Sequence, residues 1–322
     1  MKNDKVILIT GCAGFIGFHC VKKLSKDYKI VGIDNLDDYY DVELKKNRLK
    51  DLKKLKNFKF YKKNILKLNK FFFDKYNFEY VIHLAAQAGV RYSLENPQKY
   101  IDTNISGFLK ILEFCKYNNK IKLIYASSSS IYGANKQLPF CENQKTETPL
   151  SMYAVSKKTN ELMAFAYKKL YDIRSIGLRF FTVYGPWGRP DMALFKFTKA
   201  LIEDKNIYLY NNGNHSRSFT YVDDIVNSIH LLIKKNVFEI DESFILNIGG
   251  SKSVNLMDYI TCLEKHMKKK AKVIYLPMQK GDVEKTQSNV DKLDSYINYI
   301  PKVKIEEGIP KFVNWYKKYY NL

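Results

Sequence analysis

A tyrosine and a lysine stand four residues apart in the segment Tyr153–Lys157 (YAVSK). The segment has a helical pattern, and side chains four residues apart share one face of a helix. A phenol with a pKa of about 10 is a poor base at neutral pH. A nearby ammonium group or an oxidised nicotinamide would favour the phenolate and lower that pKa. The pair is therefore predicted to move a proton to or from a hydroxyl group.

A run of four serines, Ser127 to Ser130, ends the fifth predicted strand, and Ser128 is 25 residues before Tyr153. In open α/β sheets, ligands bind beyond the carboxyl ends of the strands. The run is therefore expected to supply a hydroxyl group that works beside Tyr153. A Tyr-x-x-x-Lys spacing alone is common, so the prediction depends on this combination and on the glycine-rich segment near the start of the chain.

Three glycines, Gly11, Gly14 and Gly17, follow the first predicted strand and open a helical pattern. Glycines at such a bend let the backbone turn tightly and approach a diphosphate, which rests on the positive end of the helix. Asp34, twenty residues after Gly14, ends the second predicted strand, where a carboxylate binds ribose hydroxyls and repels a 2′-phosphate. The pattern predicts NAD rather than NADP as cofactor. The expected contacts in this part of the chain are Gly11, Gly14, Phe15, Ile16, Gly17, Asp34 and Asn35.

Short apolar segments alternate with amphipathic ones over the first 180 residues. The predicted strands are Lys5–Thr10, Lys29–Asp34, Phe58–Lys62, Tyr80–Leu84, Ile121–Ser127 and Ser175–Phe180. The predicted helices include Phe15–Leu24, Gln98–Tyr117 and Tyr153–Leu170. This alternation is typical of an α/β fold, a Rossmann-type doubly wound parallel sheet with helices on both faces.

The pattern loosens after Gly185 into a stretch rich in Pro, Gly and Trp, followed by shorter, mixed elements. Residues 1–180 are predicted to form the NAD-binding domain, which also receives residues 219–249. Residues 181–322 are predicted to form a smaller, discontinuous C-terminal lobe that binds substrate and is interleaved with the first domain.

The net charge of +21 raises the question of a nucleic-acid partner. Lysine accounts for 48 of the 54 basic residues and is spread along the chain, so we expect no nucleic-acid binding. No apolar run approaches the ~18–20 residues that span a bilayer. The five cysteines lack metal-site spacing, which predicts no metal and a reducing, cytoplasmic location.

The glycine spacing and the segment His83–Ala86 at the end of the fourth strand resemble the short-chain dehydrogenase/reductase superfamily, in its extended form. The resemblance implies that Tyr153 and Lys157 also contact the cofactor and that Asn104 lies in a supporting network. Asn64-Ile65 stands where the family often has Asp-Ile near the adenine. The further cofactor contacts that the resemblance implies are Asn64, Ile65, Leu84, Ala85, Ala86, Gln87 and Asn104.

Longer segments resemble UDP-glucuronate 4-epimerases, namely Gln87–Ser93, Leu178–Ala193 and Gly281–Val283. By this resemblance Ser128, Tyr153 and Lys157 are the catalytic residues, and Ser128 orients the sugar hydroxyl. Arg217 would bind the diphosphate and Asp282 the uridine ribose. Where the family usually has Asp, this chain has Ser218, so a local ion pair is expected to be missing. The substrate-binding residues implied are Arg91, Ser127, Ser128, Ser129, Thr182, Arg189, Arg217 and Asp282.

The resemblance implies an NAD-dependent epimerase that inverts carbon 4 of UDP-glucuronate through a 4-keto intermediate. Related enzymes that decarboxylate or dehydrate the sugar carry an acid after the catalytic hydroxyl, where this chain has Ser129 and Ser130. The alternatives are 4-epimerisation of UDP-galactose or of a UDP-N-acetylhexosamine or uronate, decarboxylation, or a non-catalytic NAD-binding scaffold. A homodimer through the helices Gln98–Tyr117 and Tyr153–Leu170 is also implied, and the product would suit surface-polysaccharide synthesis.

Overall fold

The structure, a computed structural model, describes residues 5–240 and 243–322. The strands are β1 Val6–Thr10, β2 Lys29–Asp34, β3 Phe58–Lys62, β4 Phe78–His83, β5 Lys122–Ser128, β6 Ser175–Phe180, β7 Thr182–Tyr184, β8 Asn206–Leu209, β9 Ser216–Arg217, β10 Phe219–Tyr221, β11 Ser243–Ile248, β12 Val254–Asn255 and β13 Lys272–Tyr275. The helices are α1 Phe15–Leu24, α2 Val42–Leu52, α3 Lys70–Asp74, α4 Tyr92–Glu95, α5 Pro97–Tyr100, α6 Gly107–Tyr117, α7 Met152–Tyr171, α8 Ala193–Ile202, α9 Val222–Lys234, α10 Leu256–Met267, α11 Asp291–Ile297 and α12 Ile305–Tyr320. A π-helical segment, Ile101–Ser106, joins α5 to α6, and short 3-10 turns cover Ile65–Lys67, Ser129–Tyr132, Asn211–Gly213 and Val237–Glu239.

Seven strands form one sheet in the order β11-β6-β5-β4-β1-β2-β3, and every neighbouring pair is parallel. All carboxyl ends therefore lie at one edge, where the first strand's neighbours are β4 and β2. The expected Rossmann-type α/β fold is confirmed.

Both faces of the sheet are covered by helices, as the apolar strands predict. Ile7 and Ile9 of β1 pack with the α1 and α9 side chains on one face. Leu8 between them points to the other face and packs with α6. Each fully buried apolar side chain of this kind contributes roughly 1.5–3 kcal/mol to folding.

The predicted bounds of β2, β3, β6 and α1 match the structure. The fourth strand was misplaced, because it runs Phe78–His83 rather than Tyr80–Leu84. Phe78 pairs with Val6 across a ladder irregularity, whereas the Leu84 N–H bonds to the Thr10 side chain at 3.1 Å. The other predicted strands and the predicted helix Tyr153–Leu170 differ from the structure by one residue at their ends. The prediction of Gln98–Tyr117 as one helix is wrong, because these residues are divided among α5, the π-helical segment and α6.

A second apolar core lies among α8, α10 and α12, with Phe195, Tyr259 and Phe312 at its centre. The strands β7 and β10 pair with each other, while β11 returns to the main sheet beside β6. Residues from this core and from the sheet edge line one shared cleft. Within the described residues, no helix is long and apolar enough to cross a membrane.

Candidate active site

A cavity of about 800 Å³ opens along the carboxyl edge of the sheet. That volume is in the usual range for small-molecule sites. The predicted site residues that line it are Gly11, Gly14, Phe15, Ile16, Gly17, Asp34, Asn35, Asn64, Ile65, Leu84, Ala85, Ala86, Gln87, Arg91, Ser127, Ser128, Ser129, Tyr153, Lys157, Thr182, Arg189, Arg217 and Asp282. Asn104 is buried behind the wall of the cleft.

The glycine loop has no room for side chains. Gly11 has φ of +71°, and a Cβ there would lie 2.7 Å from the Ala85 backbone nitrogen. A Cβ on Gly17 would lie 2.1 Å from the Gly11 carbonyl oxygen. Gly14 is the N-cap of α1, and no side chain among the described residues caps it. The first-turn N–H groups of α1 therefore face the cleft as a site that fits a diphosphate.

Asp34 lies at the end of β2 and is almost fully buried. One carboxylate oxygen accepts from the Ala13 N–H at 3.0 Å and the other from the Leu36 N–H at 2.8 Å. Burial raises the pKa of Asp34, although these two bonds oppose the rise. The bonds fix the carboxylate at the floor of the cleft, where its position fits the ribose-binding acid expected from the sequence.

Asn104 connects the wall of the cleft to α7. Its amide oxygen accepts from the Gln87 N–H at 2.7 Å, and its amide nitrogen donates to the Gln87 carbonyl at 3.0 Å and to Ser156 Oγ at 2.9 Å. The Asn104 carbonyl, inside the π-helical segment, accepts from Asn160 Nδ2 at 2.7 Å. Segments of this kind recur at functional sites because they leave backbone groups free for other partners.

On the adenine side, Asn64 caps the short turn that follows β3. Its amide oxygen accepts from the Leu66 N–H at 2.9 Å. A carbonyl oxygen has two lone pairs, so this bond still allows the contact with an adenine amine implied by the family resemblance.

The proton-transfer group lies where β5 meets α7. The Tyr153 phenol faces the Ser128 hydroxyl, which acts to lower the Tyr153 pKa. Lys157 donates from Nζ to the Ala126 carbonyl at 2.8 Å and is buried. The three predicted catalytic residues are thus brought together at the end of one strand.

The expected lowering of the Tyr153 pKa is wrong for the protein alone. Burial raises the pKa of Tyr153, while the Ser128 hydroxyl and the charge of Arg189 act against the rise. The Lys157 ammonium group is directed to a backbone carbonyl, and burial lowers its own pKa to about 8. Lys157 therefore does not supply the lowering expected of it here.

Ser127, one of the predicted substrate contacts, has a hydrogen-bond partner on α7. Its hydroxyl donates to Glu161 Oε1 at 2.6 Å, and Glu161 also holds Arg179. In the protein alone the single proton of the Ser127 hydroxyl is used in this bond, and the contact of Ser127 with the substrate stays a prediction. Ser128, Ser129 and Ser130 line the cleft at the same strand end.

The expected substrate end of the cleft is held by arginines. Arg91 Nη2 lies 3.2 Å from Asp282 Oδ2. The Arg217 guanidinium donates to the carbonyls of Glu284 at 2.8 Å and Val283 at 2.6 Å. These bonds place Arg91, Arg217 and Asp282 side by side at one wall.

Arg189 is paired in the protein with Asp191, which accepts from two of its nitrogens. Its charge is therefore partly neutralised before any substrate carboxylate arrives. The missing ion pair expected at Ser218 is replaced by a hydroxyl contact, since Ser218 Oγ accepts from the Ser288 N–H at 3.0 Å.

Two residues with clear structural roles were missed by the sequence reasoning. Arg48 is fully buried and donates to the carbonyls of Ala13 at 2.9 Å and Trp187 at 2.6 Å, so it joins the glycine loop to the second core. The scarcity of arginine was the signal that could have found it. Tyr39 lines the cleft and donates to Asp191 at 3.1 Å, a pairing that no local pattern indicates.

The glycine loop, the buried acid and the Ser128–Tyr153–Lys157 group share one cleft at the carboxyl edge of a Rossmann sheet. Together they define an enzyme that uses a nicotinamide dinucleotide to oxidise a substrate hydroxyl or to reduce the corresponding carbonyl. Residues 7–249 match the NAD dependent epimerase/dehydratase family, and the chain belongs to that family. NAD is therefore its cofactor.

Known relatives cover nearly the whole chain. Protein CapI of Staphylococcus aureus is 50% identical, over 98% of this chain and 99% of that protein. A UDP-glucuronate 4-epimerase of Thermodesulfobacterium geofontis is 45% identical, over 97% of this chain and 96% of that protein. A crystal structure of UDP-glucuronic acid 4-epimerase from Bacillus cereus, in complex with UDP-glucuronic acid and NAD, superposes with a TM-score of 0.91. It is 35% identical and matches over 98% of this chain and 100% of that one.

Proposed function

We propose that this enzyme inverts carbon 4 of UDP-glucuronate to give UDP-galacturonate through a 4-keto sugar. The observation that carries the proposal is the meeting of Tyr153 and Ser128 in a cleft that also holds the glycine loop and a wall of arginines. The similarity to UDP-glucuronate 4-epimerases over nearly the full chain supports the choice of substrate.

Tyr153 removes the proton of the 4-hydroxyl. The Ser128 hydroxyl, which donates to Ser130 Oγ at 3.1 Å in the protein alone, turns to the 4-hydroxyl and keeps it in place. NAD, when bound, accepts the hydride of carbon 4 and later returns it. Lys157 lies one helical turn from Tyr153 and holds the helix to the Ala126 carbonyl. Its charge favours the phenolate once the site is filled.

Inversion requires that the 4-keto sugar presents its other face to the same donors. Tyr153 lines the open cleft, and we infer that the sugar ring turns there about its link to the diphosphate. The proton and the hydride then return from the same donors, now to the opposite face of the sugar. The reaction is redox-neutral, so the cofactor is not consumed.

The 4-keto intermediate of a hexuronate is a β-keto acid, which loses carbon dioxide readily. Ser129 and Ser130 stand where decarboxylating relatives carry an acid for proton transfer at carbon 5. We assign the sugar carboxylate to Ser129, Thr182 and Arg189, which all line the cleft. Hydroxyl groups can hold the carboxylate without moving protons at carbon 5.

The UDP portion is assigned to the opposite wall. Arg217 would bind the diphosphate and Asp282 the uridine ribose, with Arg91 beside them. Arg91 stacks on the Tyr210 ring, with its guanidinium carbon 4.5 Å from the ring centre, while it pairs with Asp282. Because Asp282 accepts hydrogen bonds, ribose hydroxyls can compete with Arg91 for it and free that guanidinium for a phosphate oxygen.

We also assign a homodimer to the outer face of α6 and α7. These helices pack against each other, and the Tyr167 hydroxyl on α7 donates to Glu113 on α6 at 2.5 Å. Their outward side carries apolar residues with high exposure, namely Leu109, Tyr117, Leu162, Phe165 and Leu170. An apolar face across two long helices is what a second copy of the chain would cover.

The test is to incubate the purified protein with UDP-glucuronate, without added cofactor, and to follow the sugar by proton NMR. Formation of UDP-galacturonate without a pentose is the expected result. Formation of UDP-xylose would show that the enzyme decarboxylates the sugar and does not epimerise it. Conversion of UDP-galactose or a UDP-N-acetyl sugar in place of UDP-glucuronate would agree with the proposed mechanism but show that the proposed substrate is wrong. Inactivity with every sugar in the presence of NAD would show that the protein is not an epimerase.

A further inference from the structure

Three segments that leave the sheet edge meet at the side chain of Tyr39. The Tyr39 hydroxyl donates to Asp191 Oδ2 at 3.1 Å. It also lies against Gly89, where a Cβ would come within 2.4 Å of the Tyr39 oxygen. Tyr39 follows β2, Gly89 follows β4 and Asp191 follows β7. One phenol thus connects loops from distant parts of the sequence.

The strand order gives this junction its place over the site. β1 lies between β4 and β2, so the glycine loop after β1 lies between the loops that meet at Tyr39 and Gly89. Tyr39 and the glycine loop line the same cleft. The two flanking loops therefore join each other across the place that fits the diphosphate of the cofactor.

Further contacts hold the two loops together. The Tyr39 and Tyr92 rings are 4.9 Å apart between their centres, and Lys99 forms an ion pair with Asp37 at 3.1 Å. Burial and the neighbouring Asp191 raise the pKa of Tyr39 to about 12, so the phenol remains a hydrogen-bond donor at neutral pH. Asp191 is itself fixed by Arg189.

We propose that Tyr39, through its hydrogen bond to Asp191 and its contact with Gly89, closes the cleft over the NAD diphosphate and slows release of the cofactor. The inference rests on the proposed function, in which a redox-neutral cycle returns NAD to its starting state and has no need to exchange it. It assigns to Tyr39 the role of retaining the cofactor, which is separate from proton transfer at Tyr153.

The test measures NAD release in the absence of any sugar. Protein loaded with radiolabelled NAD is diluted into an excess of unlabelled NAD, and the label that stays bound is followed over time. Tyr39→Phe keeps the ring and removes only the hydroxyl, and we expect release to be about tenfold faster, the effect of losing one hydrogen bond to a charged group. Tyr76→Phe is the matched control, because it removes a phenol that bonds to Tyr61 outside the cleft.

A double-mutant cycle with Asp191→Ala tests the named bond. If the Tyr39–Asp191 bond closes the cleft, the two substitutions together speed release no more than either does alone. Release from Tyr39→Phe at the parent rate would overturn the proposal, and so would equal acceleration in Tyr76→Phe. Because no sugar is present, a failure of the parent protein to convert UDP-glucuronate would count against the proposed function alone.

Discussion

Glu161 and Arg179 form a bidentate ion pair directly beneath the strand end that carries the active-site serines. Arg179 Nε lies 2.9 Å from Glu161 Oε1, and Nη2 lies 2.9 Å from Oε2. Both side chains are buried, and Glu161 also accepts from the Ser127 hydroxyl at 2.6 Å. Glu161 is two helical turns from Tyr153 on α7, so the pair fixes the helix that carries the proposed base to β6, and the Ser127 bond fixes it to β5, the strand that carries Ser128.

Removing one member of this pair should destabilise the protein strongly. We expect Glu161→Leu to lower the free energy of unfolding by about 3–5 kcal/mol, because Arg179 is left as a buried charge without its partner. Urea denaturation measures the loss. The double variant with Arg179→Leu is the control and should recover most of the stability, and equal losses in both variants would contradict this account of the pair.

Replacement of Tyr153 by Phe should remove turnover and leave the fold intact. The phenol is the proposed acid and base, a role that contributes ~10²–10⁴-fold to a rate. Proton NMR of UDP-glucuronate mixtures measures the loss, and the NAD content of the purified variant should match that of the parent. Turnover within a factor of two of the parent would exclude Tyr153 as the base.

Lys157→Met should stabilise the protein at pH 7 while it lowers activity. Burial lowers the pKa of Lys157 to about 8, against an ordinary value of 10.5, so the charged lysine destabilises the folded state below pH 8. This pKa difference corresponds to a loss of about 3 kcal/mol in the free energy of unfolding, from which the stabilisation by the hydrogen bond to Ala126 is subtracted. Thermal unfolding at pH 7 compares the two proteins.

The sign of the pH dependence provides the check on Lys157. Between pH 8 and 10.5 the unfolded chain binds the lysine proton more strongly than the folded one, so the stability of the parent rises with pH relative to Lys157→Met. The expected gain is about 1 kcal/mol from pH 8 to pH 9. A gap between the two proteins that stays constant over this range would show that Lys157 titrates normally.

The assigned dimer can be tested at α7. The double variant Leu162→Glu, Phe165→Glu places two carboxylates on the exposed apolar face and should be a monomer by analytical ultracentrifugation. Phe71→Glu changes an even more exposed phenylalanine on α3 and should leave the dimer unchanged. A monomeric parent protein at micromolar concentration would reject the assignment.

The sequence predicted the elements whose patterns are local. The glycine loop, the acid after β2 and the Tyr153–Lys157 pair lie within short segments, and their chemistry could be inferred before the fold was known. The contacts of Tyr39 and Asp191 could not, because these residues are 152 positions apart and meet only through loop conformations. The partner of Ser127 was not predicted for a related reason, since its acceptor Glu161 belongs to the next helix.

The pairing of β7 with β10 has a mechanical consequence. The chain leaves the main sheet after β6 through β7 and returns through β10 to α9, and three residue pairs, from Thr182–Phe219 to Tyr184–Tyr221, link the two passages. The outgoing and returning segments therefore form a two-stranded neck. Residues 185–218 lie between its two strands in the sequence, so both ends of this segment are held at the neck. Bending at this neck would disrupt both passages at once, so the pairing restrains the movement of Arg189 and Arg217, which both lie in residues 185–218.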